Sequence, residues 1–186
     1  MAWSRIQREP AGLFGGRAFK RTTVSGDIMV LDKGAVRRVG VISDTHGLLR
    51  DEVREALHGV DLIIHAGDIG KEEVLAALEK IAPVVAVRGN MDRAEWALKI
   101  PETEVVAIDE TQVYVVHDAA KLDVEPGPAG FGAVISGHTH RPAVVRRRGV
   151  LFLNPGSAGP RRFNLPVTFA ILHVHGKSLE AVVVEV

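Results

Sequence analysis

The 186 residues are 46% hydrophobic and 25% charged and include no cysteine, a composition that specifies one soluble globular domain with a core and excludes disorder and collagen-like structure. Without cysteine there are no disulfides, thiolate zinc sites, iron–sulfur clusters or cysteine nucleophiles, so any metal must be held by oxygen and imidazole. Lys plus Arg and Asp plus Glu balance at 23 each, so no global field holds nucleic acid or an anionic membrane; stable nucleic-acid binding is not expected, and attraction for phosphate must be local. No apolar run approaches the roughly 18 residues of a membrane span, and Arg5, Arg8 and Glu9 are unlike a signal peptide. A cytoplasmic protein without membrane contact is expected.

Residues 1–28 carry Arg5, Arg8, Arg17, Lys20 and Arg21 against Glu9 and Asp27, broken by Gly12, Gly15, Gly16 and Gly26, and show no hydrophobic period. They read as part of a loosely held, poorly defined N-terminal extension over residues 1–35, followed by a single domain over residues 36–186. Within that domain Val39-Gly40-Val41-Ile42-Ser43 predicts a buried strand, residues 51–57 a helix and residues 61–65 a second strand. Residues 71–81 predict a helix, with Val74, Leu75, Leu78 and Ile81 at helical spacing before Pro83, and residues 84–87 a third strand.

After Pro101 the rhythm changes to strands. Residues 104–108 and 112–116 flank the polar Asp109-Glu110-Thr111 and predict a hairpin. Further strands are expected at residues 133–136, 142–146, 150–153, 167–173 and 179–184, with turns at Arg146-Arg147-Arg148-Gly149 and His175-Gly176-Lys177. A βαβαβ half and a strand-rich half, each with an apolar face to bury, predict an α/β sandwich of two sheets with helices outside.

Polar residues gather where the apolar strands end, the place where open α/β sheets bind ligands. The first strand ends in Asp44-Thr45-His46, the second in Gly67-Asp68 and the third in Gly89-Asn90; later strands end in His117-Asp118 and Gly137-His138-Thr139-His140. Asp44, His46, Asp68, Asn90, His117, His138 and His140 exceed what one ion needs and suit two ions, with Asp68 on the middle strand end as the natural bridge. Residues at i, i+2 project toward nearby points, so Asp44/His46 and His138/His140 can each serve one centre or both. Two divalent ions less two carboxylates and a bridging hydroxide leave about one positive charge, which favours an anionic oxygen ester. Ions about 3.5–4 Å apart would lower the pKa of a shared water and clamp a phosphoryl group for in-line attack.

From Val39 to about Val184 the chain resembles the calcineurin-like metallophosphoesterases, and most closely their small bacterial and archaeal phosphodiesterase branch. The segments that carry the resemblance are Asp44-Thr45-His46, Gly67-Asp68, Gly89-Asn90, His117 and Gly137-His138-Thr139-His140, together with Asn154-Pro155-Gly156-Ser157. The resemblance implies a four-layer α/β/β/α sandwich of two mixed sheets flanked by helices. It also implies that Asp44, His46 and His140 hold one metal and that Asn90, His117 and His138 hold the other. Asp68 would bridge, and Asn90 would contact the phosphate. Manganese is the usual activating ion in such enzymes, and iron, zinc, nickel or cobalt would also suit these ligands. The implied activity is a two-metal phosphodiesterase acting through a metal-bridging hydroxide on a small phosphodiester. The alternatives are a phosphomonoesterase and a non-enzymatic protein-binding scaffold, since the retromer complex contains such a subunit of this family. A scaffold is free to lose ligands, and this chain matches all seven positions. No G-x-G-x-x-G or G-x-x-x-x-G-K-[ST] supports a nucleotide-cofactor protein. Strand edges that pair between copies leave a homo-oligomer open.

Two departures from the family pattern stand out. Many relatives have a histidine after Gly-Asn, where it can protonate the leaving group. Met91 stands there in this chain and cannot donate a proton, although the phosphodiesterase branch also departs from histidine, often with cysteine. At Asp118 the branch commonly shows glycine; its carboxylate either reaches the ligands or faces solvent. His65 either orients a ligand or is a satisfied strand-end histidine. His58, His173 and His175 read as structural or surface groups, Arg146 to Arg148 as a solvated hairpin tip, and residues 154–157 as either support for the site or a plain turn.

Overall fold

The computed structural model describes residues 20–23, 27–31, 37–162 and 164–186. Most of the stretch read as an extension, including Arg5, Arg8 and Arg17, lies outside these residues. Inside it are two strands that the sequence reading did not place, β1 (Lys20–Thr23) and β2 (Asp27–Leu31), paired antiparallel with each other.

The βαβαβ half forms as expected: β3 (Arg37–Ile42), α1 (Asp51–Ala56), β4 (Leu62–His65), α2 (Glu72–Leu78) and β5 (Val84–Ala86). Each helix opens with two acidic residues, Asp51 and Glu52 or Glu72 and Glu73, which complement the positive end of the helix dipole. Helix α2 ends three residues before the predicted limit, because after Leu78 the chain tightens into an i to i−3 turn from Ile81 N to Leu78 O (2.8 Å) ahead of Pro83.

The strand-rich half follows: β6 (Thr103–Ile108), β7 (Thr111–Val116), β8 (Phe131–Ile135), β9 (Ala143–Arg147), β10 (Val150–Asn154), β11 (Thr168–His175) and β12 (Ser178–Glu185). The seven-stranded sheet runs β1-β2-β6-β7-β8-β10-β9 and the five-stranded sheet β12-β11-β3-β4-β5, both mixed. In the five-stranded sheet β3, β4 and β5 are parallel neighbours, so their carboxyl ends lie side by side.

Period-two alternation decides which side chains meet between the sheets. Val39, Val41, Leu62 and Ile64 of one sheet face Val113, Val115, Ala133, Ile135, Leu151 and Leu153 of the other. Each fully buried Leu, Ile or Val adds about 1.5–3 kcal/mol relative to exposure. On the opposite face of the five-stranded sheet, Ile42 and Ile63 pack under Val53 and Leu57 of the α1 region and Val74 and Leu78 of α2, both pairs at i, i+4. The outer face of the seven-stranded sheet buries Tyr114, Val116, Val134 and Val150. Among the described residues a 3-10 turn (Ala119–Lys121) and Leu122 adjoin that face, so the fourth layer is thin. No helix among the described residues is long and apolar enough to cross a membrane.

Candidate metal centre

The loops that leave β3, β4 and β5 interlock through their backbones before any side chain is considered. Asp44 N donates to Gly67 O (3.0 Å), His46 N to Asp68 O (2.9 Å) and Gly47 N to Ile69 O (2.7 Å). Eight described non-glycine residues have positive φ, and five of them are predicted ligands: Asp44 (56°), His46 (46°), Asp68 (53°), His138 (67°) and His140 (57°). Each such residue costs about 1–2 kcal/mol in the left-handed region. That strain is gathered at one end of the sandwich, where packing over-determines the backbone. Gly67 (φ 92°) answers both strain and crowding, because a Cβ there would lie 2.6 Å from His117 Nδ1.

Two clusters of ligand atoms result. In the first, Asp44 Oδ1 lies 3.2 Å from His140 Nε2 and 3.9 Å from His46 Nε2, and the two imidazole nitrogens are 3.3 Å apart. Asp44 is fully buried; its Oδ2 accepts from His138 N (3.1 Å), whereas Oδ1 accepts no hydrogen bond. In the second, His117 Nδ1 must donate to the Ala66 carbonyl (2.7 Å), which turns Nε2 toward Asn90 Oδ1 (3.2 Å) and Asp68 Oδ1 (3.4 Å). His138 Nδ1 points at the same Asn90 oxygen (3.1 Å), and the His117 and His138 rings meet edge to face at 5.2 Å. All seven predicted residues are thus brought together. Asp44 belongs to both titratable groupings, Asp44/His46/His140 and Asp44/Asp68/His117, while Asp68 belongs to the second. A buried carboxylate oxygen without a donor and imidazole lone pairs converging on acceptors are what a cation would satisfy, so the donor set fits divalent metal. A backbone carbonyl holding the far nitrogen of His117 is the support a metal-ligating histidine needs.

The electrostatics follow from this crowding. Burial pushes the Asp44 carboxyl up to about 6, against the opposing effects of His117 and Ser43. Burial and then the Arg162 charge hold His46 below the ordinary histidine range; for His140 the causes are burial, His46 and Arg162. For Asp68 burial acts upward, but the His117 and Met91 hydrogen bonds outweigh it and hold the carboxyl low. His117 is raised: burial opposes, and hydrogen bonding and attraction to Asp68 prevail.

Supporting residues fix the loops. His65 does not meet a ligand ring: it accepts from Gly67 N at Nδ1 (3.2 Å), so Nε2 carries the proton and donates to Thr45 Oγ1 (2.8 Å), whose hydroxyl donates to Ile69 O (3.0 Å). Complete burial pushes its pKa down to about 3, consistent with that neutral tautomer. Asn154 donates through Nδ2 to Gly137 O (2.7 Å) and Thr139 Oγ1 (3.1 Å), and Ser157 Oγ donates to Asp44 O (3.0 Å), so residues 154–157 brace the ligand loops. Asp118 takes both of its open readings in part. Oδ1 caps the 3-10 turn by accepting from Ala120 N (3.0 Å), while Oδ2 lies 3.9 Å from His138 Nε2.

The sequence reading missed Asp92. Buried behind the site, it accepts from Gly89 N (2.8 Å) and Ile69 N (3.1 Å) at Oδ2 and from Gly70 N (2.8 Å) at Oδ1, tying the loop after β5 to the loop after β4. The only signal was its place two residues after Asn90, which spacing alone does not interpret.

Residues 38–177 match the calcineurin-like phosphoesterase superfamily domain, and the chain belongs to that family. Among curated relatives, a probable metallophosphoesterase of Methanocaldococcus jannaschii is 37% identical over 159 residues, 78% of this chain and 80% of that protein. Among solved structures, an archaeal phosphodiesterase superposes with a TM-score of 0.68 at 26% identity, covering 79% of this chain and 99% of its own. Vacuolar protein sorting 29 of Cryptosporidium parvum shares the fold with a TM-score of 0.66 at 23% identity, covering 81% and 98%.

Proposed function

We propose that this phosphoesterase is a two-metal phosphodiesterase. Asp44, His46 and His140 hold one ion, Asn90, His117 and His138 hold the other, and Asp68, after the middle of the three parallel strands, bridges. The observation that carries the reading is the convergence of the His46 and His140 Nε2 atoms (3.3 Å apart) on the donor-free Asp44 Oδ1, beside His117 Nε2 turned toward Asn90 and Asp68. Two divalent ions held there, manganese being the expected pair, would attract a phosphodiester anion and make water nucleophilic near neutral pH. Asn90, exposed at the mouth between the His117 and His138 rings, would orient the phosphoryl oxygens. The similarity to an archaeal phosphodiesterase supports a diester over a monoester. The likeness to vacuolar protein sorting 29 is one of fold, and a complete ligand set favours the enzyme over a scaffold.

The deciding experiment is hydrolysis of an aryl phosphodiester by metal-stripped protein before and after addition of Mn²⁺, with the matching monoester alongside. Metal-dependent turnover that is faster on the diester is expected. Faster monoester cleavage would make the protein a phosphomonoesterase, and no turnover with two ions bound would favour the scaffold.

Two further results are expected. Asp68→Asn lowers the ions bound per chain and cuts turnover by about a hundredfold, at the upper end of what even supporting residues cost. Full metal stoichiometry and rate in this variant would remove Asp68 from the bridging role. Met91 serves its loop through the backbone, donating N–H to Asp68 Oδ1 (2.9 Å), and its exposed thioether offers the leaving group no proton. Aryl diesters are therefore expected to react faster than alkyl diesters by about the 10²–10⁴-fold that general-acid help is worth. Comparable rates across a series of leaving-group pKa values would mean that another group donates the proton.

A further inference from the structure

A cavity of about 690 Å³ opens on the outer face of the seven-stranded sheet, beside the metal centre and separate from it. It is lined by Thr139 and Arg141 at the end that joins the ligand loop, by Val145 and Arg147 of β9 and Phe152 of β10, and by Leu165. Val145 and Phe152 are register partners and so share a face. The near end belongs to the ligand loop itself. Thr139 stands between His138 and His140, and its hydroxyl oxygen is fixed by Asn154 Nδ2 (3.1 Å). A phosphodiester seated on the two clusters thus has this cavity on its His138 side, within reach of one ester arm.

The lining states what that arm is. Val145 and Phe152 offer apolar surface, and the Arg147 guanidinium lies over the Phe152 ring, 5.7 Å from its centroid, which makes a flat cationic platform. Among the described residues neither Arg141 nor Arg147 forms an ion pair with a carboxylate, and no acidic side chain lines the cavity. The neighbouring cavity of about 310 Å³ differs: it mixes Arg88 and Lys121 with Glu102, Asp118 and Asp123, and its Arg88 is spent on Glu102 at 2.6 Å. A volume of 690 Å³ is in the range of small-ligand sites. Exposed apolar wall plus two unspent guanidinium groups suit a planar ring that carries a second negative charge, which stacks and pairs at once.

On the phosphodiesterase reading, we infer that this cavity is a subsite for a nucleotide arm bearing a further phosphate, the phosphate held by Arg141 and the in-plane N–H groups of Arg147 and the base stacked on the Arg147 guanidinium face that Phe152 backs. The subsite is local and does not require a polymer, in keeping with the absence of net charge.

Three p-nitrophenyl diesters with the same leaving group test it on the manganese-loaded protein: the methyl ester, the thymidine 5′-ester and the thymidine 5′-ester carrying a 3′-phosphate. The kcat/KM is expected to rise in that order, with the 3′-phosphate worth about tenfold and acting chiefly through KM, the scale of one charge-assisted contact. In Arg141→Ala/Arg147→Ala the ratio between the phosphorylated and unphosphorylated nucleotide esters is expected to fall to about one. Equal kcat/KM for all three esters, or a ratio that survives the double substitution, overturns the subsite while leaving the phosphodiesterase in place. Should no diester turn over, calorimetric titration of thymidine 3′,5′-bisphosphate into wild type and double variant still decides. Binding weakened about tenfold by the substitutions upholds the subsite, and absent or unchanged binding overturns it.

Discussion

Asp44→Asn is expected to do two opposite things: to reduce metal-dependent turnover by at least about a thousandfold, beyond the loss expected from a supporting residue, and to stabilise the metal-free protein above pH 6. The first follows from the place of Asp44 in both ligand groupings. The second follows from its raised pKa. Below its ordinary value of 3.8 the carboxyl is neutral in folded and unfolded chains alike. As pH rises from about 4 to about 6 the folded protein keeps a proton that the unfolded chain has already lost, so stability falls across that window and levels off once the buried group ionises. The rise from 3.8 to about 6 corresponds to roughly 3 kcal/mol. An amide at this position never ionises and still accepts from His138 N, so the difference between variant and wild type should be small at pH 4 and grow to about 2–3 kcal/mol at pH 8. Denaturant unfolding in chelator across that range reads this group together with its coupling to His117 and Asp68, while the remaining titratable groups are common to both proteins. Parallel stability curves would show that burial of Asp44 costs nothing, and with saturating Mn²⁺ the order should reverse, since the wild type gains more than the variant by binding the ions.

Asp92→Ala should be the most damaging substitution among residues that need not touch metal. It removes at one stroke the acceptor of Ile69, Gly70 and Gly89 N–H, in a position that is 4% exposed and therefore poorly served by water. Leaving these donors unmet is expected to cost about 3–6 kcal/mol. Because the loops so released carry Asp68 and Asn90, metal affinity should fall as well. Asp92→Asn keeps one carbonyl oxygen, enough for the two donors that share Oδ2 in the wild type, and should be intermediate in both melting temperature and ion affinity. If the alanine variant melted with the wild type and bound ions equally well, the idea of Asp92 as the tie between loops would be sunk. If it failed to fold, the asparagine variant would carry the comparison.

Much of this protein could be read from its residues in order. The apolar stretches that became β3, β4 and β5 are short, rich in Val and Ile and end abruptly, and a strand that ends abruptly exposes whatever follows it at the sheet edge. That is why Asp44, Asp68 and Asn90 are legible as neighbours in the residue order itself. The hairpin of β6 and β7 was legible for a similar local reason, two alternating runs around Asp109-Glu110, which the chain turns with Asp109 at φ 54°. Local pattern decides local structure because period-two burial and turn chemistry act over a few residues.

What the residues in order did not disclose depends on groups far apart in the chain. Asp92 finds its partners 22 and 23 residues upstream, and a carboxylate bound to backbone N–H leaves no side-chain signature on the other partner. The left-handed backbone at five ligands was hidden for the same reason: aspartate and histidine adopt it only where surrounding packing outweighs its cost. The pairing of β2 with β6, the thin outer layer and the cavity between Arg141 and Arg147 were likewise set by which sheet edges and faces met, a choice made by summed burial over the whole chain. The amino-acid sequence determined which side chains carry the chemistry and at which strand ends they stand. Only the tertiary structure decided how they converge, what braces them and where an ester arm can lie, because convergence within a few ångströms is a property of packed loops and not of residue order.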